Sequence, residues 1–424
     1  MRIYDLQKFC RNGTPLYIYG AGAYGRLVKA YLENLDIDVA AFVVSNKCGQ
    51  SHQVMDIPVL ELDEVRSDGD FIIGVGRIYE GEIIEKLSNI GVTNYFLLSD
   101  ALMDEIYQNV RFDRPISVKR NFANILLYHR VTERNVDPWN LKVTPRHFEE
   151  HIKYIKNNYW IARFEDDWTN INEPFVVVTF DDGYIDNYDI VLPILEKYNV
   201  PATIFVSSGY VDTKRLFWWD DLVQLIMNSK SYTDFLEAEN ADLGRYGKST
   251  EDKIKILNAT RDKLKNLLPS QREEIFKKWK ENLVDATEDF YHKTDGAMTS
   301  EELRKLAKSP LVTIGAHTVT HSMLSVEPQE MQQWEFAESK HRIEEIIHRP
   351  VTVMSYPFGS RKDINEFTPT IAKECGYEKA AVNWQGTANQ DTDAFLLPRN
   401  PQRDCNVDEF SKMLRGTWYM YGDV

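Results

Sequence analysis

Cysteine, long apolar runs and basic charge are all scarce in this sequence. Its four cysteines, Cys10, Cys48, Cys375 and Cys405, are widely scattered over 424 residues with no C-x-x-C pair. That excludes a dense disulfide framework and fits reduced thiols. No run approaches the roughly 18 apolar residues of a membrane helix. The opening "MRIYDLQKFCRNGTPLYIYG" holds no apolar stretch long enough for a secretory h-region. Lys and Arg number 50 against 65 Asp and Glu, a net charge of −15. This argues against a nucleic-acid backbone or an anionic membrane surface as the main partner and admits a neutral or cationic substrate more readily. The expectation is a cytoplasmic chain with no nucleic-acid partner and no stable membrane insertion.

What is present is an ordinary globular composition, 43% hydrophobic and 27% charged. At roughly 150 residues per domain the length allows two or three domains, with an α/β barrel permitted to run longer. From Leu16 to about Leu98, "LYIYGAGAYGRLVKAYLENL", "DVAAFVVS", "DFIIGVG", "EGEIIEKLSNIG" and "NYFLL" alternate strand and helix, predicting a small Rossmann-like βαβ domain over residues 1–112. The polar, basic "RFDRPISVKR" (Arg111 to Arg120) reads as a connecting segment. A second series, "ANILLYHRV", "FVVVTFDDG", "PATIFVSSGY", "VTIGAHTVTH", "VTVMSYPFGS" and "KAAVNW", supplies six strands over residues 120–424 and predicts a closed, barrel-like sheet. Between them, residues 231–299 read as a charged helical insertion. Ser249 with Asp252 and Ser270 with Glu273 resemble capping boxes, and Ile254, Leu257, Leu264, Leu268, Ile275, Trp279 and Leu283 keep helical spacing. The insertion packs on the barrel, or serves as a lid or partner surface.

The apolar run Phe175 to Phe180 ends in adjacent carboxylates, Asp181 and Asp182, and then Gly183. A run without alternation predicts a strand buried on both faces. Two like charges at its end disfavour each other's ionisation by about a pKa unit or more unless a cation or donors sit nearby. Ligands for such a cation stand in "HTVTH", where the i, i+4 spacing of His317 and His321 predicts two imidazoles on one side of a helical turn. With one carboxylate they make a His-His-carboxylate set that leaves a position open for water, the layout of a catalytic site. Alone, each piece also reads as a turn or a satisfied polar pair. Together, at the C-terminal ends of predicted strands, they are specific.

"TFDDGY" and "HTVTH" match the first two motifs of the polysaccharide deacetylase family, carbohydrate esterase family four, also called the NodB-homology domain. The resemblance covers roughly Arg120 to the C-terminus, with "ILLYHRV" and "SYPFG" as further landmarks. It implies a distorted (β/α) barrel and a metal-dependent hydrolase taking an N-acyl group, N-acetyl first, from an amino sugar in bacterial surface-glycan biosynthesis. That substrate is nucleotide-linked, lipid-linked or an oligosaccharide. Removal of a formyl group, or a non-catalytic metal- and carbohydrate-binding protein, are the alternatives. The resemblance implies Asp181 as general base and Asp182, His317 and His321 as ligands of a divalent metal, zinc first. It also implies the Phe358 N–H, after Pro357, as oxyanion donor. Ser355 stands where the third motif has an arginine, and "LLPRN" places Arg399 where the last motif has a histidine. Arg399 therefore contacts substrate or replaces the missing arginine beside Asp181. His129 is a candidate acid, or a buried histidine bonded to backbone. Tyr184, Trp218 and Trp219 are sugar-stacking walls or a helix start packed on the core.

In the first domain "YGAGAYGR" sets Gly20, Gly22 and Gly25 between a strand and a helix, the context of a dinucleotide fingerprint. Ser45 and Asn46 stand where an acidic ribose ligand is expected, which argues against NAD. The segment resembles the small N-terminal domain of bacterial sugar O- and N-acyltransferases, as far as "IPVLELDEV" (Ile57 to Val65). That resemblance implies docking of a nucleotide or phosphate at the helix N-terminus, against a scaffold without ligand.

Overall fold

The structure is a computed structural model that describes residues 2–47, 52–76, 79–112, 122–133, 137–213, 215–228, 249–282 and 295–422. Most of the connecting segment Arg111 to Arg120, Cys48, Leu283 and parts of the predicted 231–299 insertion lie outside the described residues. Contacts divide the chain into two compact units. The first is Met1–Asn124 with Ile171–Pro174 and Asp408–Val424; the second is Ile125–Asn170 with Phe175–Val407.

In the first unit, strands β1 (Leu16–Tyr19), β2 (Ala41–Val44), β3 (Gln53–Val54), β4 (Ile57–Glu61), β5 (Asp70–Ile73) and β6 (Tyr95–Leu97) form one sheet in the order β3-β4-β2-β1-β5-β6. All pairings are parallel except β3 with β4. Side chains alternate between two cores: Leu16, Ile18, Phe42, Val44 and Ile72 face one, while Tyr17, Tyr19, Ala41, Val43, Phe71 and Ile73 face the other. A sheet covered on both faces needs this continuous apolar composition. The helix Val407–Tyr421, counted with the barrel on sequence grounds, falls from Asp408 onward in this first unit. Its Trp418 is fully buried and donates its indole N–H to the Phe122 carbonyl. Tyr419 packs on Phe112, ring centroids 5.0 Å apart.

Gly20 has φ +107°, and a Cβ on Gly25 would lie 1.9 Å from the Gly20 carbonyl oxygen. Two of the three fingerprint glycines are thus required by packing, whether or not a ligand docks. Gly22, the helix N-cap, has open space where a Cβ would be. Gly25→Ala is expected to lower stability by about 1–3 kcal/mol through overpacking, read as a fall in the thermal unfolding midpoint, whereas Gly22→Ala changes it little.

The second unit holds β7 (Ala123–Tyr128, in this unit from Ile125), β8 (Arg130–Val131), β9 (Lys142–Val143), β10 (Trp160–Ala162), β11 (Phe175–Phe180), β12 (Ala202–Val206), β13 (Val312–Ala316), β14 (Val353–Ser355), β15 (Lys379–Ala381) and β16 (Asn400–Pro401). The main sheet runs β15-β14-β13-β12-β11-β7-β16, all parallel, with β10 also on β11. Leu397 bridges Ala381 in β15, while Asn400 and Pro401 pair with Leu126 and Leu127 in β7. The segment 397–401 therefore brings the ladder back on itself, and the sheet curls into the expected α/β barrel. Sequence reading missed β10 and this closing segment, because two or three residues are too few to carry a period.

The insertion is helical at Thr250–Lys265 and Pro269–Asn282. The Ser249 hydroxyl caps the first helix by accepting from the Asp252 N–H. The second opens at Pro269, a residue before the predicted Ser270 cap, with the Gln271 side chain accepting from the Leu268 N–H. Ile256, Leu257, Leu264 and Phe276 join a core with Phe217, Trp218, Trp219 and Leu222.

Candidate active site

Asp181, Asp182, His317 and His129 each follow the C-terminal end of a barrel strand. Asp181 follows β11, which is buried throughout, and its N–H donates to the Tyr128 carbonyl of β7. Asp182 and Gly183 both adopt left-handed backbone, φ +76° and +84°. Glycine takes this backbone freely, so the strained residue is the carboxylate Asp182, as happens where surroundings fix a functional geometry.

His317 follows β13. The two histidines do not share a helical turn as their spacing predicted. They meet through an irregular loop in which Thr318 (φ +62°) and His321 (φ +50°) are left-handed. The buried Glu335 carboxylate holds this loop by accepting from the Val319 and Thr320 N–H groups at 2.7 and 3.0 Å. The loop cannot continue as a helix, because its amides are bonded to a side chain.

Asp182, His317 and His321 each offer one ligand atom, all within 4.8 Å of one another and all buried. The Asp182 Oδ1 lies 3.5 Å from His317 Nε2 and 3.3 Å from His321 Nε2, and has no hydrogen-bond partner among the described residues. His317 Nδ1 is engaged by the Ser355 carbonyl at 2.9 Å, which directs Nε2 at the cluster. Burial pulls both histidines down, His321 to about 3 with the charge of Arg272 adding. Two neutral imidazoles and an orphaned carboxylate oxygen converging on one point suit a divalent cation. Burial raises Asp182 to about 6, so protons compete with a cation below that pH. Affinity for added zinc or cobalt is expected to weaken by up to about tenfold per unit below pH 6, measured by chelator competition at pH 5, 6 and 7.

Arg399, on the closing segment, is fully buried. Its Nη1 and Nη2 donate to Asp181 Oδ1 and Oδ2 at 2.7 and 2.6 Å, and its Nε donates to the Val382 carbonyl at 3.2 Å. Of the two places open to it on sequence grounds, it occupies the one beside Asp181. Burial pushes the Asp181 carboxyl up, but the guanidinium more than offsets this and holds it well below the usual carboxylate range. The Ser355 hydroxyl donates to Asp181 Oδ1 at 3.0 Å and lies 2.6 Å from His317 Nδ1, linking the two halves of the site.

Phe358 is left-handed (φ +59°), and its ring stands edge-on to His321 with centroids 4.8 Å apart. No acceptor for its N–H is found among the described residues. His129, partly buried, lies where the charges of Asp182 and Asp181 oppose the lowering of its pKa by burial. Tyr184 is fully buried, its hydroxyl donating to Asp220 at 2.7 Å and accepting from Trp219, with the Arg130 guanidinium 4.4 Å from its ring. Trp218 and Trp219 are each 5% exposed, and Trp219 backs His321 at 4.3 Å. These three rings support the site from within the core and offer no open face for stacking. Sequence reasoning missed Lys265 and Arg272 of the insertion, which touch the site's supports; nothing in their local pattern distinguishes them from a solvated helix face.

A sequence model of the polysaccharide deacetylase family matches residues 169–380, half of the chain. The chain belongs to the polysaccharide deacetylase family. A Bacillus subtilis protein, YxkH, whose name places it among polysaccharide deacetylases, is 24% identical over 282 residues, covering 65% of this chain and 69% of its own. Poly-beta-1,6-N-acetyl-D-glucosamine N-deacetylases of Staphylococcus aureus are 26% identical over 165 residues, 35% of this chain and 57% of theirs. Among solved structures, a polysaccharide deacetylase from Bacillus cereus aligns with TM-score 0.45 and 19% identity over 70% of this chain and 69% of that one. Among the described residues no helix is long and apolar enough to cross a membrane.

Proposed function

We propose that the chain is a metal-dependent hydrolase that removes an N-acyl group, acetyl in the first instance, from an amino sugar of a bacterial surface glycan. The observation carrying this reading is Asp181, kept ionised by a bidentate arginine and with its Oδ2 3.9 Å from His317 Nε2 of the adjoining His-His-Asp cluster. A protein that merely bound a metal would have no use for a second carboxylate held this way.

In this reading Asp182, His317 and His321 hold a divalent ion, zinc in the first instance. The ion would polarise the acyl oxygen and lower the pKa of water from about 16 towards 7. Asp181 takes the proton of the attacking water. The Phe358 N–H donates to the developing oxyanion. His129 in its protonated form would give its proton to the leaving amine and be reprotonated from solvent, to which Asp181 returns the proton it took from water, and Arg399 orients Asp181 without touching substrate. The names of the staphylococcal relatives favour an oligomeric N-acetylglucosamine substrate, with nucleotide- and lipid-linked sugars and formyl groups as neighbouring choices. Gly20, Gly22 and Gly25 border a place for a nucleotide or phosphate, supported by their position where the sheet order departs from β1 in both directions.

The test is acetate and formate release from N-acyl hexosamines, free, UDP-linked and oligomeric, with zinc or cobalt supplied. Release of acetate supports the reading, and formate alone would shift it to a deformylase. Metal binding with no release from any of them would favour a metal- and carbohydrate-binding protein.

A further inference from the structure

The two described helices of the insertion each end or begin with a cation directed at the active site's supports. Lys265, last residue of Thr250–Lys265, pairs with Asp363 at 2.5 Å, and its Nζ lies 4.3 Å from the centre of the Phe358 ring. Asp363 is 2% exposed and accepts from the Ser360 N–H at 2.9 Å, closing the turn that follows Phe358 and Gly359. Phe358 is left-handed without being glycine, so this turn needs outside restraint to hold the Phe358 amide in place.

Arg272, in Pro269–Asn282, is 3% exposed. Its Nη2 donates to the Thr320 carbonyl at 3.3 Å, immediately before His321, and its guanidinium lies 4.7 Å from the Trp218 ring. Trp218 contacts both Phe358 (centroids 6.3 Å) and Trp219, the ring behind His321. Amphipathic packing accounts for Ile256, Leu257 and Leu264. It does not account for a buried guanidinium on the histidine loop or an ammonium on the oxyanion loop, since burying charge is costly unless it makes specific contacts.

We infer that the insertion is a working part of the active site, with Lys265 positioning the Phe358 amide and Arg272 positioning the metal-ligand loop at His321. This rests on the hydrolase reading, and its tests separate the two. In the full chain, Arg272→Met is expected to weaken zinc or cobalt affinity about 10- to 100-fold in chelator competition, as loss of a residue supporting a ligand does. Arg272→Lys is expected to recover part of that. Lys265→Met, which keeps the stem over the ring and removes the charge, is expected to lower kcat about 10- to 100-fold, as misplacement of an active-site group does, with KM and metal affinity held. Lys265→Arg is expected to recover part of the rate. Wild-type metal affinity in Arg272→Met, or wild-type kcat in Lys265→Met, would overturn the corresponding role, even if melting temperature falls. If the wild type releases no acid from any substrate, the hydrolase reading fails, and metal affinity in Arg272→Met still decides whether the insertion supports the cluster.

Discussion

Asp181→Asn is expected to reduce acyl release by about 10²–10⁴-fold, the usual contribution of a general base, while still binding about one metal. The amide has nearly the carboxylate's shape and cannot take a proton from water. It also leaves the Arg399 guanidinium buried without a counter-charge, and breaking a buried pair in this way costs about 3–5 kcal/mol. The variant must therefore be shown to be folded at the assay temperature, by near-UV circular dichroism and a melting curve with zinc restored. Asp182 and the two histidines make no hydrogen bond to Arg399, so metal stoichiometry by equilibrium dialysis should stay at the wild-type value. Retained turnover in a folded, metal-loaded Asp181→Asn protein would remove Asp181 as the base.

Arg399→Met should damage both stability and the pH profile. The methionine fills much of the arginine's volume and supplies no donor, leaving Asp181 buried with the Ser355 hydroxyl as its remaining close donor. In the wild type the Asp181 pKa is held below its unfolded value near 3.9. The pair thus contributes stability that is present above pH 4 and lost as pH falls through the lowered folded value. Without the arginine, burial dominates and the folded pKa moves above the unfolded one. The sign reverses: Asp181 then opposes folding at neutral pH, and the variant should gain stability on acidification from pH 7 towards 5, where the wild-type pair contributes a constant amount. A loss of about 3–5 kcal/mol at pH 7 is expected in denaturant titrations. The acid limb of kcat/KM should move to higher pH, because the base must first lose a proton it does not hold in the wild type. An unchanged acid limb would mean that Asp181 is not the titrating base.

The sequence by itself determined the parts that depend on local pattern. The apolar run Phe175–Phe180 with no alternation required a strand covered on both faces, and the same logic recovered β1, β2 and β5. The Asp pair and the two histidines were legible as candidates because residue types suited to a common cation stand out in sequence, whatever the backbone between them did. Motif resemblance carried Asp182, His317 and His321 to one cluster, and they meet within 4.8 Å.

Tertiary structure alone decided what crosses long separations. No local feature of "LLPRN" says that Arg399 reaches a carboxylate 218 residues earlier; that follows from the short segment at which the barrel closes. The helical turn expected of "HTVTH" gave way because Glu335, far along the chain, bonds the loop's amides. Tyr184 looked available to sugar until Asp220, Trp219 and Arg130 enclosed it. Lys265 and Arg272 read as surface charge because helical periodicity records which face is apolar and carries no information on what a distant loop places against a polar residue. Side-chain type and spacing set the candidates, and closure of the barrel sets their partners.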